Sequence, residues 1–254
     1  MRVIQKTIKK TADLAAQSAA LATINPDLLI VFGSVEHFTG ADFAATLRTA
    51  LPGTALIGCS TAGEITPDGV DDGTCSLTAI KFDAATLTQA NTPLAGMDDS
   101  FAAGERLGRQ LVSSGLKAVL VFGPGVQING SALVDGITSI IGSSIPITGG
   151  LAGDGGAFKQ TFTLGPDGVC DNAIVAVGLG GDALCFGHGS FGGWEPFGPA
   201  RKVTRCANNV LFELDGEPAL DVYNAISATM PKVCPPPACF SPSPCSAKTT
   251  APSA

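Results

Sequence analysis

The amino-acid sequence predicts a layered α/β protein built from two pseudo-symmetric repeats, followed by an incomplete α/β or α+β module. Three observations predict it. Sliding the chain over itself by 90 positions aligns residues 29–64 with 119–154 without a gap. Apolar runs of strand length alternate with segments of helical spacing. With 254 residues, 45% of them apolar, the chain can bury one large core or two ordinary ones.

The elements follow in order. A helix is expected over residues 7–22, giving an N-terminal helix region of residues 1–27. Each repeat then opens with a short β-branched run, LLIVFGS from Leu28 or AVLVFGP from Ala118, suited to a buried strand. A helix follows in each, with Phe43, Leu47 and Leu51 at helical spacing in the first copy and Leu133, Ile137 and Ile141 in the second. A second strand ends in a glycine-rich turn, GCSTAGE at 58–64 and GGLAGD at 149–154. The returning strands are CSLTAIKF at 75–82 and NAIVAVGL at 172–179, the latter preceded by a hairpin strand over 159–164. A further helix over 98–114 separates the copies. The duplicated domain therefore spans 28–182. Beyond it, ALCFGHGSFGGWEPFGP and RKVTRCANNVLFELDG read as strands around a Gly/Pro turn, opening a new module over 183–224.

Charge and composition exclude several classes. Fifteen Lys and Arg against 22 Asp and Glu leave a net charge of -7, without the basic footprint of a nucleic-acid binder. No run reaches the roughly 18 apolar residues of a membrane span. The expectation is a cytoplasmic protein with no nucleic-acid or membrane partner. Cys59, Cys75, Cys170, Cys185 and Cys206 stand singly in strand-like runs and read as reduced. Two histidines and no C-x-x-C pair give no metal site.

The glycine-rich turns invite a phosphate-loop reading, but no Lys-Ser or Lys-Thr follows, and the G-x-G-x-x-G spacing is absent. A tight turn needing positive φ explains them better. Glu64 and Asp154 fall at equivalent repeat positions, so two carboxylates facing one pocket is one reading and two solvated turn acids the other. Cys59, at a strand end before Ser60 and Thr61, is conceivable as a nucleophile. His37 and His188 stand in no recognised catalytic spacing with it. His188, between glycines and near Trp194, is a candidate ligand contact or haem ligand, or simply a packed turn histidine.

GCSTAGEI, GGLAGD with Phe158 following, NAIVAVGL, GGWEPFGP, VTRCANNVLFELDG and EPALDVYN, in that order, resemble the FIST sensory family across residues 28–224. The resemblance implies an N-terminal FIST_N domain and a following FIST_C domain, and a cytoplasmic sensory input rather than a catalyst. It implies a small ligand such as an amino acid, no resident cofactor, and as partner a separately encoded histidine kinase, cyclic-di-nucleotide enzyme or chemotaxis protein. Some similar proteins are haem-binding nitric-oxide sensors that restrain kinases, which is the rival reading. Cys59, Ser60, Thr61, Gly63, Glu64, Gly150 and Asp154 are the ligand-binding candidates at the strand ends, with His188 and Trp194 beside them. An amino acid would place its ammonium on Glu64 or Asp154. Its carboxylate would meet turn N–H groups and the Ser60 and Thr61 hydroxyls.

The resemblance stops inside FIST_C. Residues 225–254 hold seven of the 17 prolines, three of the eight cysteines and no acid. A single base lost after the Asn224 codon, with permitted codon choices, turns them into a string containing the FIST_C-like pattern GLPATGLLFPLA. The expectation is an out-of-frame, disordered tail on a truncated family member.

Overall fold

The computed structural model describes residues 1–189, 198–207 and 210–228. They divide into two units, Met1–His188 and a second that begins at Gly189. The first unit opens with β1 (Arg2–Ile8) and α1 (Leu14–Leu21), then β2 (Leu28–Gly33), α2 (Val35–Phe38), α3 (Phe43–Ala50) and β3 (Ala55–Ser60). A hairpin of β4 (Glu64–Thr66) and β5 (Gly69–Asp71) leads into β6 (Cys75–Lys81). A second series follows: β7 (Thr86–Pro93), α4 (Ser100–Leu111), β8 (Leu116–Gly123), α5 (Gly130–Ile141) and β9 (Ile147–Leu151). The hairpin of β10 (Thr163–Gly165) and β11 (Gly168–Cys170) then precedes β12 (Ala173–Gly180).

The two series build two sheets, ordered β1-β6-β2-β3-β10-β11 and β7-β12-β8-β9. In each, the parallel pair is β2 with β3 or β8 with β9, and the last strand of the series runs antiparallel beside it. The β10–β11 hairpin leaves its own series and pairs with β3, Thr163 opposite Cys59. The pleat sorts each strand's side chains between two cores. On β2, Leu29 and Val31 meet α1 and α3 through Leu14, Leu21, Phe43 and Leu47. Leu28, with Ile30 and Phe32 packed beside it, shares a core with Phe122, Val175 and Val177 of the other sheet. Val119 and Val121 meet α4 and α5 through Leu107, Leu133 and Ile137. The order is therefore helices, sheet, sheet, helices. Phe32 and Phe122 bridge the middle edge to face, centroids 5.2 Å apart, a pair that contributes about 1 kcal/mol beyond its burial.

Several expectations change. Within residues 1–27, the helix expected from residue 7 begins only at Leu14, and β1 stands before it, paired along its whole length with β6. β7 is a second edge strand. The hairpin strand expected over 159–164 begins at Thr163. The gapless slide by 90 also slips at the second strand: Val31 faces Gly58, whereas Val121 faces Gly149, 91 positions on. Glu64 and Asp154 are consequently one step out of correspondence. Both glycines are dictated by contact, because a Cβ on Gly58 would collide with the Val31 carbonyl and one on Gly149 with that of Val121. Gly155 and Gly156, in the loop after β9, have positive φ, the turn reading of that run.

The second unit contains β13 (Val203–Ala207), β14 (Val210–Leu214) and β15 (Glu217–Pro218) in one antiparallel sheet, then α6 (Ala219–Ser227). Arg205 joins β13 to β14, its Nε 2.7 Å from Glu213 Oε1 and its guanidinium over the Phe212 ring. The expected tail lies outside the described residues after Ala228, and α6 itself continues to Ser227.

Candidate functional site

Parallel strands place their carboxyl ends, and the loops that follow, on one side of the sheet, which is where ligand crevices form in α/β folds. Here β2 and β3 end at Gly33 and Ser60. Beyond them opens a cleft of about 490 Å³. It gathers Ser34 and Glu36 after β2, Thr61, Gly63 and Glu64 after β3, Asp72 before β6, and Asp154 from the loop after β9. Thr61, Gly63, Glu64 and Asp154 were legible in the sequence as turn residues. Ser34, Glu36 and Asp72 were missed; the carboxyl end of the first strand was the signal that pointed to Ser34 and Glu36.

The four acids differ in what they already hold. Glu64 is 1% exposed. It accepts hydrogen bonds from the Thr61 hydroxyl at 2.6 Å, the Thr74 N–H at 2.9 Å and the Thr74 hydroxyl at 2.8 Å. Asp154 accepts from the N–H groups of Phe158, Lys159 and Gln160 at 3.0, 2.7 and 3.3 Å. Burial raises its pKa, but these backbone donors outweigh it and hold the carboxyl below its ordinary value. Both acids thus fix loops around the cleft. Glu36 and Asp72 make no ion pair or side-chain hydrogen bond among the described residues. The Ser34 hydroxyl is buried without a hydrogen-bond partner, and Ser34 lines the cleft. Gly63 has φ +113, and its missing Cβ leaves room for Asp72 Oδ1, 3.1 Å from where that atom would lie.

The FIST N domain model matches residues 27–217, three quarters of the chain. The chain belongs to the FIST family. FIST domains are sensory domains of signal transduction. An uncharacterized protein of Methanocaldococcus jannaschii is 36% identical over 83 residues, which is 32% of this chain. The matched span is 15% of that relative's length.

Cys59, Ser60, Gly150 and His188 are not among the residues lining the cleft of this FIST chain. Cys59 is buried between the sheets, where desolvation pushes its thiol pKa up to about 12. A thiol so protonated at neutral pH is no nucleophile. Ser60 is buried as well, donating to the Gly153 carbonyl at 2.7 Å and accepting from the Phe162 N–H at 2.9 Å. It ties the loop after β9 onto β3 and has no hydroxyl proton left for a ligand carboxylate. Gly150 lies exposed on β9, at the edge of its sheet. His188 is exposed between two open glycines, while the nearby Leu184 and Phe186 pack against the inter-sheet core. Trp194 lies outside the described residues. The described residues hold no cluster of three His, Cys, Asp or Glu suited to a metal ion.

Proposed function

We propose that this FIST domain is the ligand-binding part of a sensory protein, and that its cleft takes a small molecule carrying positive charge. One observation carries the reading: at the carboxyl ends of β2 and β3, Glu36, Glu64, Asp72 and Asp154 line one concavity, and the residues lining it include no lysine or arginine. Uncommitted carboxylates attract an ammonium group, most strongly where protein on several sides reduces solvation. Ser34 adds a hydroxyl with no internal partner. An amino acid remains in the candidate class through its ammonium, but its own carboxylate meets a ring of like charge. Amines and diamines therefore fit better than zwitterions. Glu36 and Asp72 are the contacts, and Glu64 and Asp154 hold the walls. Calorimetric titration with cadaverine, L-lysine and glutarate tests this. Affinity falls in that order, and glutarate binding as tightly as cadaverine overturns it.

The signal passes, in this reading, to a kinase, cyclic-di-nucleotide enzyme or chemotaxis protein in the cytoplasm. Among the described residues no helix is long and apolar enough to cross a membrane. The segment from 225 onward is read as a frame-shifted remnant of FIST_C. Its composition supports this. The nucleotide sequence tests it: restoring one base near codon 225 opens a longer FIST-like frame, and failure to do so overturns it.

A further inference from the structure

A second cleft, of about 540 Å³, lies at the carboxyl end of β8. Four loops converge on it, at residues 94–96, 124–127, 159–161 and 171–172. Leu94, Pro124 and Val126 give its lining an apolar part. Lys159, Gln127, Gln160, Asp171 and Asn172 line the same cleft. Several of these polar groups are uncommitted. Lys159 has no ion-pair partner among the described residues. The side-chain amides of Gln127 and Asn172 make no hydrogen bond among them, and Gln160 Nε2 donates to Asp171 Oδ2 at 3.1 Å. Gln127 is held at φ 56, and Phe158, just before Lys159, at φ 52. Left-handed backbone is uncommon and costly for a residue that carries a Cβ. The fold sustains that strain in the two loops that bring Gln127 and Lys159 to the cleft.

We propose that this cleft binds a small polyhydroxylated carboxylate, of the sugar-acid class. The Lys159 ammonium pairs with the carboxylate. Side-chain amides each offer a donor and an acceptor, the complement of a hydroxyl that is both. Asp171 accepts from a hydroxyl and repels a second carboxylate, so a monocarboxylate is favoured over a dicarboxylate. Leu94, Pro124 and Val126 take the C–H groups of the chain. Asp154 links this cleft to the first: it lines the acidic cleft while its carboxylate accepts from the N–H groups of Lys159 and Gln160. The inference does not depend on what the acidic cleft binds.

Calorimetry of the full chain with D-gluconate, D-glucose, D-glucarate and cadaverine tests it. Gluconate binds about tenfold or more tighter than glucose, the difference expected of one charge-assisted hydrogen bond. Lys159→Gln abolishes that preference and leaves cadaverine binding unchanged, whereas Asp171→Asn admits glucarate. Lys159 is exposed, so its replacement leaves the fold intact, as circular dichroism checks. Gluconate that fails to bind at millimolar concentration, or that binds Lys159→Gln as well as the parent, overturns the proposal.

Discussion

Glu64 offers the sharpest test of how the acidic cleft is built. Its carboxylate is buried, faces no cation among the described residues, and is held by three donors from Thr61 and Thr74. Glu64→Ala leaves the buried Thr74 N–H without an acceptor, at about 1–3 kcal/mol, and removes the bonds to two hydroxyls. Relief of the buried charge's desolvation offsets part of this, so the net loss is about 2–4 kcal/mol. For a domain of this size that lowers Tm by roughly 5–15 °C. Glu64→Gln behaves differently. Its carbonyl oxygen still accepts from Thr74, and the Thr61 hydroxyl rotates to accept from the new amide. The loss is then about 1 kcal/mol. Thermal and urea denaturation of the three proteins measures both. The reasoning is refuted if Glu64→Ala costs less than about 1 kcal/mol, or if Gln is as harmful as Ala.

Other expectations rest on separate features. Gly58→Ala drives a methyl group into the Val31 carbonyl and separates the parallel strands, lowering stability by about 3 kcal/mol or more by denaturant titration, well above an ordinary glycine-to-alanine change. Asp154 has a folded pKa below its unfolded 3.8, so its contribution is full above 3.8 and is lost as pH falls through the lower folded value. The amide resonances of Phe158 and Lys159 therefore stay constant from pH 7 to 5 and shift only in the acid range, together with the carboxyl. Adding haem produces no Soret shift that depends on His188, as an absorption spectrum of His188→Ala beside the parent shows. Cys59 resists alkylation at pH 7.5 in the folded protein and reacts once it is unfolded in urea.

The parallel pairs were legible because LLIVFGS and AVLVFGP are buried on both faces, and such runs carry little besides β-branched and aromatic apolar residues. Helices α3 and α5 were legible because Phe43, Leu47, Leu133 and Ile137 all point to the core. Edge strands lack that signal. β1 mixes Arg2, Gln5 and Lys6 with Val3 and Ile4, because only part of it is covered, and its charges resembled a helix lead-in. The cleft divides in the same way. Thr61, Gly63, Glu64 and Asp154 announced themselves in glycine-rich turns at strand ends. Glu36 and Asp72 are ordinary exposed acids, without mutual spacing, that only the topology brings together. Cys59 and Ser60 misled because their place at the end of β3 reads as a strand-end site. All six residues of β3 are in fact buried, with the other sheet against one face and the β10 hairpin along its edge.

The measurement that bears most directly on the sensory reading is a thermal-shift comparison of the parent chain with the Glu36→Gln/Asp72→Asn double variant, in cadaverine and in glutarate. Ligand held only by the folded state raises Tm in proportion to its occupancy. Neither replaced side chain makes a hydrogen bond or ion pair among the described residues, so the variant's own Tm stays within about 2 °C of the parent. Cadaverine at millimolar concentration raises the parent's Tm, leaves the variant's unchanged, and glutarate moves neither. A cadaverine shift that survives in the variant, or a parent that responds to glutarate and not to the diamine, contradicts the account.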